Sequence, residues 1–105
     1  MKIRVTSPAE AEYAEAAAFY ELAEDGLGDI FIQSVTAAVN LLTKHPALGK
    51  QTRENVRSLA TRKFPYNIVY EIVHDEIVIH AIAHQSRMPD YWVDRISNNA
   101  DDQEQ

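Results

Sequence analysis

At 105 residues and 46% apolar side chains, the chain has material for one domain with a thin core. It has no cysteine, which excludes disulfides and thiolate metal sites, and its formal net charge of −6 argues against a basic groove for duplex DNA. No apolar run approaches the roughly 20 residues that span a bilayer, and the opening MKIRVTSPAEAEY turns polar too early for a secretory signal. The expectation is a cytoplasmic protein that does not bind membranes.

Taken in order, KIRVTS alternates apolar Ile3 and Val5 with charged residues, the pattern of a short half-buried strand. SPAE at 7–10 reads as a helix start, with Ser7 as the cap, Pro8 in the first turn and Glu10 completing a capping box. The first helix is predicted from about Pro8 to Asp25. It carries two apolar stripes: Ala9, Tyr13, Ala16, Tyr20, Ala23, and Ala11, Ala14, Ala18, Leu22. DGLGD at 25–29 reverses the chain into a second helix, Asp29 to Lys44, whose core stripe is Phe31, Val35, Ala38, Val39, Leu42. A short connection makes the pair an antiparallel hairpin. After Gly49 the period changes to that of strands, in NVRSLATRKF, PYNIVYEIV and EIVIHAIAH, the last two joined by a tight turn. The fold class is therefore α+β in the order β-α-α-β-β-β, an antiparallel sheet with a helical hairpin packed on one face. Residues 1–97 form the single domain, and 98–105 an acidic tail expected to be disordered.

The period of two assigns faces to the strands. Tyr66, Ile68, Tyr70, Ile72, Ile77, Ile79, Ala81 and Ala83 are expected against the helices. Asn67, Val69, Glu71, Val73, Val78, His80, Ile82 and His84 are expected on an opposite, open face, with Glu71 and His80 as cross-strand neighbours. The register of 56–63 is too weakly patterned to say which of Arg57, Arg62 and Lys63 lines that face.

A metal site is not expected, because four-residue spacing of His80 and His84 chelates on a helix and not on a strand. No Gly-x-Ser-x-Gly elbow or glycine-rich phosphate loop is present, and no cofactor is implied. Two site readings remain. An RNA-cleaving site would use His84 as acid or base, Arg62 and Arg87 to hold phosphate, and Tyr91 to stack or donate a proton. A partner-binding surface would use the open face and its trailing segment, through Val69, Ile82, His84, Arg87, Tyr91 and Trp92, together with Leu22 on the second stripe of the first helix. Against both stands a structural role, in which Tyr91 and Trp92 seal the sheet, Arg87 pairs with Asp90 or Asp94, and His84 bonds the strand end. For the second helical stripe the structural role is packing on the second helix.

AEAEYAEAAAFYE, GLGDIF, KHPALG, RKFPYNIVYEI and IAHQSRMPDYW together, over nearly the whole chain, resemble the ParE/RelE toxins of bacterial type II toxin–antitoxin (plasmid stabilisation) modules. The resemblance implies a growth-inhibiting toxin neutralised by a cognate antitoxin. The ParE-like branch inhibits DNA gyrase by binding it, and the RelE-like branch cleaves messenger RNA on the ribosome. The predicted open face offers Asn67, Glu71 and His80 where RelE-like members gather cations, so the ParE-like reading is preferred, with no chemistry of its own. The ribosome-dependent nuclease is the alternative and an inactive interaction module a second alternative.

Overall fold

The computed structural model describes residues 1–96. The acidic tail expected at 98–105 lies outside the described residues. The elements are β1 (Lys2–Val5), α1 (Ser7–Ala23), α2 (Leu27–Lys44), β2 (Lys50–Gln51), β3 (Val56–Ala60), β4 (Tyr66–Val73) and β5 (Glu76–His84). They build one five-stranded sheet in the order β1-β5-β4-β3-β2. β1 runs parallel to β5, and the other pairs are antiparallel; the helical hairpin carries the chain from β1 at one edge of the sheet to β2 at the other. Two-residue β2 was not anticipated; a pair of polar residues carries no period to read.

The start of α1 differs from expectation by one residue. Thr6, not Ser7, is the N-cap, its side chain accepting from the Ala9 N–H, which shifts Glu10 out of capping-box register. At the hairpin, Glu21 of α1 accepts from the Gly26 and Gly28 N–H groups and so satisfies the N-terminus of α2. Gly28 also permits the helices to approach closely, since a Cβ there would lie 2.7 Å from the Ala17 carbonyl oxygen. The predicted α2 stripe is the one that enters the core: Phe31 and Leu42 are fully buried, and Val35 and Ala38 nearly so. Phe31 meets Phe64 edge-on at 5.3 Å and stacks obliquely on Tyr20 at 5.4 Å.

The assignment of faces holds for β4 and fails half-way along β5. Tyr70 pairs with Ile79 but Val69 pairs with Ala81, so β5 carries one extra residue, His80. This bulge inverts the parity of everything after it. Ile82 joins Ile68, Ile77 and Ile79 in the core beneath the helices. Ala81 and Ala83 turn to the opposite face with Val69. His84 follows Ile82 to the helix side, where its ring meets Tyr66 edge-on at 5.0 Å. The expected placement of Ile82 and His84 on an open face, and of Ala81 and Ala83 under the helices, is corrected by this single inserted residue. The expected Glu71–His80 contact is met by the side chains, with 3.0 Å between Oε1 and Nε2, although the register partner of Glu71 is Val78.

Nor is the opposite face open. Residues 85–96 fold back across it as a strap that ends in a helical turn at 93–96. Trp92 is buried on Val56, Val69, Ala81 and Ala83, flanked by Tyr91, Val93 and Ile96. A small domain gains a second apolar cluster this way, without a second helical layer. The expected four-strand layer roofed on one side is thus a five-strand layer covered on both.

Candidate functional site

The strap is held by one carboxylate. Glu12 lies on α1 between Ala9 and Ala16, at helical spacing within the buried stripe. Arg95 donates to it from both terminal nitrogens, Nη1 to Oε1 and Nη2 to Oε2, each at 2.9 Å. The Tyr91 hydroxyl donates to Oε2, and the Ile82 N–H donates to Oε1 at 3.0 Å. Arg95 Nη1 also donates to the His80 carbonyl at 3.0 Å. β1 makes its last contact with β5 through the Thr6 N–H and the Ile79 carbonyl. Beyond that point Glu12 and Arg95 supply the partners that a longer β1 would have given the edge of β5.

The network sets the ionisation of its members. Burial pushes the Glu12 carboxyl up, but the hydrogen bonds from Arg95, Tyr91 and the Ile82 amide outweigh it and hold the pKa below the ordinary value. Burial, followed by donation to anionic Glu12, raises the Tyr91 phenol far above its ordinary value. The hydrogen bond to Glu12 raises Arg95 further still.

Around this network opens a groove of about 330 Å³ between α1 and the end of β5, walled by Glu15, Phe19, Tyr66, His84, Arg87 and Tyr91. The guanidinium carbon of exposed Arg87 lies over the Tyr91 ring, 3.9 Å from its centroid. His84 accepts at Nδ1 from the Ser86 N–H at 3.0 Å, so in the neutral ring the proton sits on Nε2. The groove therefore combines an apolar wall, one exposed cation and one imidazole.

The family description "ParE toxin of type II toxin-antitoxin system, parDE" matches residues 3–89. The chain belongs to the ParE toxin family. A solved structure entitled "Chromosomal ParDE TA system from P. aeruginosa" superposes with a TM-score of 0.59 at 17% identity, covering 80% of this chain and 95% of that one, and shows that the fold is shared. No curated protein sequence matches the chain. This member of the ParE family is thus a type II toxin.

Of the residues singled out from sequence, the structure brings His84, Arg87 and Tyr91 together in the groove. Arg62 lies apart, in the β3–β4 turn, where its carbonyl accepts from Ser34 of α2. Lys63 shares that turn, while Arg57 faces the helices and donates to the Gly49 carbonyl at 2.8 Å. Val69, Ile82 and Trp92 are between 2 and 5% exposed, sealed by the chain's own side chains, and offer a partner no surface. Leu22, at 90% exposure, does. Its stripe does not pack on α2; Ala11, Ala14 and Ala18 are exposed with it.

Sequence reasoning passed over Glu12, Arg95, Phe19 and Glu15. Glu12 had a readable signal. An ionisable residue at helical spacing inside a buried stripe requires a cation or several donors, and Arg95 is the sole cation after Arg87.

Proposed function

We propose that this ParE-family toxin acts by binding DNA gyrase, that the groove beside α1 is the contact surface, and that a cognate antitoxin neutralises it. The observation that carries the reading is the commitment of Tyr91. Its hydroxyl proton is held by Glu12, and its ring is the platform on which Arg87 is displayed. A group so engaged presents a cation to a partner rather than exchanging a proton with a substrate.

Cleavage of RNA fits the same groove poorly. Glu12 and Glu15 line it beside a single exposed arginine, and Arg62, the second cation such a site would need, lies outside it in the β3–β4 turn. Arg95 is already committed to Glu12, so a phosphodiester would find Arg87 as the one available cation, with Glu15 beside it. Arginine stacked on an aromatic ring is instead a recurrent anchor of protein–protein contacts.

The test is gyrase supercoiling in the presence of the purified toxin. Inhibition is expected, weakened at least about tenfold by Arg87→Ala, as for an interface anchor. Full supercoiling in a large molar excess of folded toxin would overturn the reading. Messenger RNA cleavage on induction, lost in His84→Ala, would replace it with the nuclease.

A further inference from the structure

The outer face of α1 is apolar, unpartnered and acidic at its margins. Leu22 is 90% exposed and Phe19 64%, the first and third most exposed large apolar residues described, with Met88 at 77% between them. Ala11, Ala18 and Leu22 share the helical direction opposite to buried Ala9 and Ala16 and half-buried Tyr20, with Ala14 beside them. Glu15 borders this seam on one side and Glu10 on the other. α1 contains four glutamates and no lysine or arginine, and Glu24 and Asp25 follow directly. Its last turn carries no basic residue to offset the negative end of the helix dipole.

We propose that this face docks an amphipathic helix of a partner protein, one with an apolar spine and lysine or arginine on both flanks. The sign of the partner follows from charge. A second copy of this chain would set glutamates against glutamates if it used α1. If it used α2 it would bring exposed Ile30, Ile32 and Leu41 with Lys44 and Asp29, whose charges cancel. The chain's own residues 97–105 carry three acidic side chains and no basic one. Only a basic helix gains on both margins while covering Leu22 and Phe19. The exposed alanines let its backbone come close. Phe19 and Glu15 also line the groove of the proposed gyrase contact, so a helix seated here reaches that groove from its side. The inference does not depend on gyrase being the target.

Fluorescence anisotropy with the full-length toxin tests it. The probe is a labelled helical peptide with a leucine spine and Lys/Arg flanks. Two controls accompany it: the same spine with Glu flanks, and the same composition scrambled to destroy the amphipathic face. Saturable binding of the basic helix alone is expected. Leu22→Ser should weaken it at least about tenfold, the factor expected for losing one leucine from the contact. It should leave the fold intact, because Leu22 touches little in the free toxin, and circular dichroism verifies this. Glu15→Lys should weaken binding several-fold, and so should raising salt from about 0.1 to about 1 M, which shortens the screening length from about 10 to about 3 Å. No saturable binding, equal binding of the acidic control, or indifference to Leu22→Ser in a folded variant would each overturn the proposal.

Discussion

Removing the Glu12 charge should detach the strap. In Glu12→Gln the side-chain shape survives, but an amide with one acceptor oxygen faces donors that had four acceptor contacts, from Arg95 twice, Tyr91 and Ile82. Hydrogen bonds to charged groups contribute about 1.5–3 kcal/mol each before mutual discount. The pair is mostly withdrawn from water, with side chains 15 and 23% exposed, so solvent screens it only in part. Breaking such a pair from one side costs about 3–5 kcal/mol, and the residual exposure places this case near about 3. The loss is capped by the docking free energy of the strap, since a detached strap returns Arg95 to water. Trp92 is the sole tryptophan and is the strap's own buried anchor on the sheet, so its emission reports docking while far-ultraviolet dichroism reports the domain. Urea titrations of wild type, Glu12→Gln, Arg95→Met and the double variant give the coupling, expected at about 1.5–3 kcal/mol. In the single variants Trp92 should redden at lower urea than the dichroism transition. Additive effects within about 0.5 kcal/mol, or coincident transitions in all four proteins, would refute the latch.

Acid should release the same strap. The Glu12 pKa is lowered in the fold, so its stabilisation is complete above the ordinary value of 4.5 and is lost as pH falls below that toward the folded value. The urea midpoint read at Trp92 should therefore decline more steeply below pH 4.5 in wild type than in Glu12→Gln, and parallel profiles would contradict this. Tyr70→Phe should cost about 1–3 kcal/mol, because the buried hydroxyl donates to the Pro46 carbonyl and accepts from the Gly49 N–H, and both would be left unpaired. Gly28→Ala should destabilise by about 1–3 kcal/mol despite alanine's helix propensity, since its Cβ would press on the Ala17 carbonyl oxygen at 2.7 Å; a thermal melt unchanged from wild type would show that the helices part freely.

The fold was legible where periodicity is strong. Phe31, Val35, Ala38 and Leu42 mark the buried face of α2 at 3.6-residue spacing, and Tyr66 to Ile72 mark β4 at two. The helical hairpin followed from the glycines at 26 and 28. The site was half legible. His84, Arg87 and Tyr91 do come together, yet on the side of the sheet opposite to the one expected, because nothing in EIVIHAIAH announces a bulge. No glycine interrupts the run, and alanine and isoleucine alternate as comfortably in either parity. The strap was foreseen only as the structural alternative in which Tyr91 and Trp92 seal the sheet, and Trp92 does so. Its latch was not foreseen, because it rests on a contact between residues 12 and 95 that no local pattern encodes. The resemblance carried the family, and it carried no information on which surface this member has left open.

Bulge, latch and groove are consequences of one another. Inserting His80 re-aims the backbone of β5 just where β1 stops, so that the His80 carbonyl and the Ile82 N–H lie on an edge beyond the reach of β1 and bond to Arg95 and Glu12 instead. An edge of that kind, flanked by isoleucine and alanine, invites another strand. Glu12 and Arg95 close it from either side, and in doing so they draw the strap round the edge of the sheet. Tyr91 then lies against α1 and Trp92 beneath the strands. With both sheet faces occupied, what this toxin can offer another molecule is its perimeter: Arg87 on its tyrosine platform, the rings of Tyr66 and His84, and the outer side of α1. The parity of a single strand thus determines which side chains reach the rim and which are sealed beneath the strap.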